Sequence, residues 1–409
     1  MHSAEQDVSL MKKVARDYAF YRSLFKDTEK PFAYVDLDLF DANANALKGR
    51  AGDKKIRIAS KSVRCPSLIK RLLDSDSQFQ GIMSFHPDEA VYLSQQGFDD
   101  ILMGYPICHP QKIRAMGMEI KRGKRLILMI DSPEHVALID AIGQELNVTF
   151  PVCLDVDMST RFPFLHFGVR RSGVTTPESA LPIYYATKAS TSVRLVGVMG
   201  YEAQIAGLAD NVPGQGARNW LIRKLKARSV KDVAERRANI IKTLEEQGAE
   251  LELVNGGGTG SLESTIKEAV VTEVTVGSGF YSSALFDDYL AFKHQPAAGF
   301  AIEVVRQPTQ NIYTCLGGGY IASGQTGTDK QPKPYLPHGL SLSQSEGTGE
   351  VQTPITYTGA EALEFGAPIF FRHSKAGELC ERFNHVHLIK DDKLAGITST
   401  YRGEGQCFL

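Results

Sequence analysis

The sequence predicts an α/β chain: a (β/α)8 TIM barrel followed by an all-β domain. Three observations predict it. Short β-rich apolar runs alternate with helical patterns from residue 56 to about residue 280, as in βα units around a parallel sheet. The runs number eight, the count that closes such a barrel. Past about residue 290 the helical periodicity fades, and strand-like pieces separated by turn residues take over.

In order, the runs are IRIAS (56–60), QGIMS (80–84), DILMG (100–104), RLILMI (125–130), VCLDV (152–156), RLVGVM (194–199), LELVN (251–255) and EVTVG (273–277). Amphipathic patterns such as SLIKRLLDS and PDEAVYLSQQG separate them. SPEHVALIDAIGQELN opens with Ser-Pro and an early Glu, as a helix N-terminus does. The widest gap, between the sixth and seventh runs, holds the charged segment NWLIRKLKARSVKDVAERRANIIKTLEEQG. An earlier run, FAYVDLDLFDANANALKG (32–49), reads as a ninth strand feeding the β domain. The strand-like pieces FAIEVVRQP, NIYTCLGGGYIASG, PITYTGAEALEFGAPIFFRH and HVHLIKDDKLAGITSTYRG build that domain. The expected division is a helical extension over 1–30, the barrel over 31–290 and the β domain over 291–409.

Composition narrows the partners. With 409 residues and 43% hydrophobic content the chain can fill a large core. Its 47 acidic and 46 basic residues cancel without long runs of either sign, which argues against nucleic acid or an anionic membrane as partner and for a small molecule. Cys65, Cys108, Cys153, Cys315, Cys380 and Cys407 are scattered without CxxC pairs, so neither a disulfide framework nor a zinc cage is expected, and a reducing cytoplasm fits. The N-terminal stretch MHSAEQDVSLMKKVARDYAFYRSLF lacks the apolar centre of a signal peptide and reads as a capping helix. No stretch has membrane-spanning length.

In such a barrel the C-terminal strand ends face the active site, so residues just past each run are the candidates. Lys61 ends the first run. The seventh run ends in VNGGGTGS and the eighth in VGSGFYSS, two Gly-rich strand-to-helix turns whose exposed N–H groups make an anion nest at the usual phosphate position of this barrel. A single such turn says little, because turns recruit glycine for many reasons. A carbonyl-reactive lysine together with a phosphate cradle across the mouth describes pyridoxal 5′-phosphate held as a Schiff base. Arg171, in GVRRSGV, and Tyr201, in VMGYEA, are candidates for the cofactor's phenolic oxygen and ring.

PFAYVDLDLFDANANAL, KSVRCPSL, EAVYLSQQGFDDILMGYP, VRRSGV, NGGGTGS and TEVTVGSGFY form an ordered series over almost the whole chain. The series resembles fold-type III pyridoxal-phosphate enzymes, with a barrel of alanine-racemase type and a C-terminal β domain, and within them the D-threonine aldolase and D-serine dehydratase group. The resemblance implies Lys61 as Schiff-base lysine, Arg171 and Tyr201 as cofactor contacts, and Gly257, Gly258, Thr259, Gly277 and Ser278 around the phosphate. It implies a lyase acting on small β-hydroxy D-amino acids, and a head-to-tail homodimer. The tail departs from the pattern: where the group offers a divalent metal His-x-Cys or His-x-Asp, FGAPIFFRHSKAGE gives His373 and Lys375. A protonated lysine is a poor ligand, so Lys375 is expected to supply positive charge in the metal's place, with His373 the remaining ligand candidate. The rival metal pair is His385 and His387, on one face of a strand. The group's Glu-His pair reduces to Glu346, with His338 a stand-in. Two other readings stay open: an amino-acid racemase using Tyr320 or Tyr335 as second base, and a non-catalytic cofactor-binding protein.

Overall fold

The computed structural model of the protein describes residues 16–325, 327–375 and 377–408. After β1 (Phe32–Asp36), each of the eight runs forms a strand: β2 (Lys55–Ala59), β3 (Phe79–Ser84), β4 (Ile101–Pro106), β5 (Leu126–Ile130), β6 (Phe150–Asp155), then, beyond a small hairpin of β7 (Thr160–Phe162) and β8 (Leu165–Phe167), β9 (Val193–Gly200), β10 (Leu253–Gly256) and β11 (Glu273–Val276). The eight pair in parallel and close into a barrel, β11 returning to β2 through the register Val274 to Ile56 and Val276 to Ile58. Strands buried on both faces read as nearly continuous apolar runs, which is why they stood out in the sequence.

Alternate positions point inward. Leu102, Ile127, Met129, Cys153, Val196, Met199 and Leu253 form a core cluster of their own. Also buried is an ionic group: Arg57 on β2 donates from Nε (2.7 Å) and Nη2 (2.9 Å) to the two carboxylate oxygens of Glu273 on β11, and from Nη1 to the Asp100 carbonyl (2.7 Å). Asn255 on β10 donates to Glu273 as well (2.8 Å).

Five of the covering helices begin with proline: Pro66–Ser75, Pro87–Gln95, Pro110–Lys121, Pro133–Leu146 and Pro177–Ala189. At the first helical position the missing N–H costs nothing and the fixed φ suits the helix. Leu68, Ile69 and Leu72 show the three- and four-residue spacing of a buried stripe. The long charged segment forms one helix, Gly216–Glu246.

The strands after the barrel are β12 (Ala298–Thr309), β13 (Ile312–Leu316), β14 (Lys333–Leu336), β15 (Leu340–Leu342), β16 (Gln352–Tyr357), β17 (Pro368–Arg372), β18 (His385–Lys390) and β19 (Lys393–Ser399). With β1 they form a nine-stranded sheet in the order β15-β16-β13-β12-β1-β18-β19, with β17 on β12 and β14 on β17. The early strand lies near the middle of this sheet, antiparallel to β12 and parallel to β18. Of the expected N-terminal helical extension, residues 1–15 lie outside the described residues; Tyr18–Leu24 is helical and sets Tyr18 and Tyr21 against Phe370. Among the described residues no helix is long and apolar enough to cross a membrane.

Candidate active site

Lys61 sits in a single 3-10 turn, Ser60–Ser62, directly after β2. Its backbone is held from behind. Arg64, in the left-handed region at φ 50°, returns its Nε to the Lys61 carbonyl (2.9 Å). Tyr281 donates its hydroxyl to the Val63 carbonyl (2.9 Å), and the Tyr401 N–H donates to the Arg64 carbonyl (3.0 Å). The β domain presses on the same turn through Gly377, at φ 88°, where a Cβ would lie 2.0 Å from the Lys61 carbonyl oxygen. Only glycine permits that approach.

The Lys61 ammonium donates to the Tyr105 hydroxyl at 2.9 Å. Tyr105 belongs to β4, two strands away, and was not among the sequence candidates. Burial raises its phenol, but the charges of Lys61 and Arg171 outweigh burial and leave it below the ordinary range. Asp155, the last residue of β6, faces the same group: burial, with Asp131 adding and Arg171 opposing, lifts its carboxyl to about 7. Tyr201, just past β9, is raised to about 12 by burial and by Glu202. The structure thus brings Lys61, Arg171 and Tyr201 together, and adds Tyr105 and Asp155. The last two stand at strand ends, so the rule that singled out Lys61 also covered them; the alternating run VCLDVD simply made Asp155 look like part of a strand.

The two Gly-rich turns lie beside Lys61 rather than across the mouth, because barrel closure makes β10, β11 and β2 neighbours. Ser62 and Ser278 meet through their hydroxyls at 3.3 Å, and Thr259 accepts the Gly279 N–H at 3.0 Å. A Cβ at Gly277 would lie 2.7 Å from Ser62 Cβ, and one at Gly258 would lie 3.1 Å from Cε2 of Tyr201. Gly257, at φ 81°, turns the chain over the end of β10. Ser62, missed in the sequence, therefore joins Thr259, Gly277 and Ser278.

The tail residues divide. Lys375 reaches the mouth: its ammonium contacts the Ser323 hydroxyl at 3.4 Å and is lowered by burial and by the charges of Lys61 and Lys330, against Glu378. His373 is buried edge-on against Tyr281, and burial together with Arg372 drives it down to about 3. Among the described residues no three His, Cys, Asp or Glu side chains are grouped as metal ligands would be. His387 packs against Phe25 and Phe32 in the sheet, and His385 meets Ser399. His338 and Glu346 are exposed on loops. Tyr320 is packed between Phe300 and Phe383, and Tyr335 lies against the Arg372 guanidinium.

Comparisons with known proteins place the family and the fold. A D-threonine aldolase from Arthrobacter sp is 23% identical over 273 residues, which cover 65% of this chain and 66% of that protein, just under two thirds of its length. The solved D-threonine aldolase from Filomicrobium marinum superposes with a TM-score of 0.77 at 18% identity, covering 92% of this chain and 96% of that one. D-threo-3-hydroxyaspartate dehydratase from Delftia sp. HT23 gives a TM-score of 0.74 at 18% identity, covering 94% and 99%. The family described as alanine racemase, N-terminal domain, matches residues 35–284, from the end of β1 through the second Gly-rich turn. Since that span holds all eight barrel strands, Lys61 and both turns, the chain belongs to the alanine racemase N-terminal domain family.

Proposed function

We propose that the chain is a pyridoxal-phosphate-dependent lyase acting on β-hydroxy amino acids of D configuration. The observation that carries this reading is Lys61: an ammonium at the mouth of a closed barrel, 2.9 Å from a phenol and beside two Gly-rich turns. The residues present fit the cofactor. Both turns are cradles that a Cβ would fill, at Gly258 toward Tyr201 and at Gly277 toward Ser62. Lys61 would anchor the cofactor covalently, Arg171 and Tyr201 would face it, and Gly257, Gly258, Thr259, Gly277 and Ser278 would take its phosphate. When bound, the cofactor supplies an electron sink for the pair released at the substrate Cα.

The rest is the chain's own work. Retro-aldol cleavage needs a base for the β-hydroxyl proton, and Tyr105, whose phenol sits below the ordinary range next to Lys61, is the group placed to take it. Dehydration needs the Cα proton removed, a task for the Lys61 amine, and positive charge near the departing hydroxide. Lys375, a tail ammonium within electrostatic reach of Lys61 and Tyr105, would supply that charge. The names of the relatives, an aldolase and a dehydratase of β-hydroxy D-amino acids, support the substrate class. The reading carries with it a cytoplasmic homodimer, which light scattering and fractionation would check.

The deciding experiment is proton NMR of the pyridoxal-phosphate-loaded protein with D-threonine in heavy water, without added metal. Glycine with acetaldehyde would establish the aldolase, and 2-oxobutanoate the dehydratase. Exchange at Cα without bond cleavage would move the assignment to a racemase. Bound cofactor with an unchanged spectrum across a panel of β-hydroxy D-amino acids would refute the lyase.

A further inference from the structure

A second buried ionic group lies behind the Gly-rich turn that follows β10. Glu202 and Arg237 are essentially shielded from solvent, and Glu268 nearly so. One carboxylate oxygen of Glu202 accepts from the Ser261 hydroxyl (3.0 Å) and from the Thr265 hydroxyl, and the other accepts from Arg237 Nη2 (3.1 Å). Arg237 also donates to the Gly200 carbonyl (2.9 Å) and pairs through Nη1 with Glu268. Ser261 closes the chain of contacts by accepting the Gly258 N–H (3.0 Å).

Three elements meet there. Glu202 follows Tyr201 just past β9, Ser261 closes the turn after β10 and Thr265 ends the short helix Leu262–Thr265 that follows it, and Arg237 comes from the long charged helix. The packing leaves no slack: a Cβ at Gly256 would lie 3.0 Å from Arg237 Nη2, and one at Gly260 would lie 2.3 Å from the Ala206 carbonyl oxygen. Burying three charges is costly unless their geometry is satisfied, and an apolar cluster would hold the helix against the barrel more simply. What an apolar cluster cannot do is fix hydroxyl and amide orientations, because it offers them no directional partner.

We infer that Glu202, clamped by Arg237, is a positioning residue that fixes the Gly257–Ser261 turn and Tyr201 as one rigid receptor for the phosphate end of the cofactor. The inference rests on the cofactor reading above. It assigns to the buried charges a role in ligand selectivity, distinct from holding the fold.

The test compares wild type, Glu202→Gln and Thr265→Val, all cofactor-free, for binding of pyridoxal phosphate and of pyridoxal by fluorescence titration, with amide hydrogen exchange on the turn peptide. Gln keeps the shape of Glu202 and removes its charge, and Val removes one tethering hydroxyl while leaving the ion pair. Both variants are expected to lose about tenfold in affinity for pyridoxal phosphate, to change by less than about twofold for pyridoxal, and to exchange faster across the turn. Equal losses for the two ligands, or exchange unchanged across the turn, would overturn the inference in favour of a purely structural ion cluster. If wild type showed no preference for the phosphate-bearing ligand, the cofactor reading would fall instead, while the exchange data would still decide whether Glu202 orders the turn.

Discussion

Replacing Asp155 by Asn should change how stability depends on pH, by an amount the structure supplies. Burial and Asp131 raise the carboxyl from 3.8 to about 7. Between those values the folded protein keeps a proton that the unfolded chain has released, so stability falls as pH rises through about 7. Applying linkage to the two values, this carboxyl alone removes roughly 2–3 kcal/mol between about pH 5 and about pH 8. The amide that replaces the acid carries no titrating proton. The lead of Asp155→Asn over wild type should therefore grow by about that amount from the lower to the higher pH. Urea unfolding of both cofactor-free proteins at the two pH values measures it, and subtracting one protein's change from the other's removes every titration they share. A lead that stays constant, or shrinks at the higher pH, would refute the placement of Asp155 in a poorly solvated, acid-crowded site.

Other outcomes follow from the same geometry. Gly277→Ala puts a Cβ 2.7 Å from that of Ser62, neither being a flexible chain end, so the turns must part; the expected result is about 1–3 kcal/mol of lost stability with weakened pyridoxal-phosphate binding, read by melting and titration. Arg57→Met leaves Glu273 buried without its cation, and unfolding titration should show a loss of about 3–5 kcal/mol. Lys375→Ala removes the tail's ammonium from the mouth; turnover of a D-β-hydroxy substrate should drop about tenfold or more with cofactor binding retained, and unchanged turnover would remove Lys375 from the mechanism.

What the sequence disclosed, and what it withheld, follow from the range of the interactions. The barrel was legible because each strand is a local apolar run, and closure makes buried strands uniform. Lys61 and the Gly-rich turns were legible because strand ends are local too. The Lys61–Tyr105 contact spans 44 positions and exists only once β2 and β4 are wrapped into the same barrel. Glu202, Arg237 and Glu268 carry no local mark of burial, since nothing in the sequence nearby distinguishes a buried arginine on a charged helix from its exposed neighbours. The placement of the cradle beside Lys61, rather than opposite, required knowing that the last barrel strand pairs with the first.

The position of β1 bears on how the protein is made. This strand precedes the barrel in the sequence, yet β12, one of its neighbours in the sheet, comes only after the barrel, and β18, the other, later still. Until β12 and β18 have been made, β1 must wait with one or both hydrogen-bonding edges open, while the barrel behind it already has all its strands. A truncated product ending with the barrel would carry that open-edged strand permanently. Such a fragment is expected to be prone to edge-to-edge association, whereas joining the segment of β1 to the C-terminal strands would give the sheet its central member without the intervening barrel.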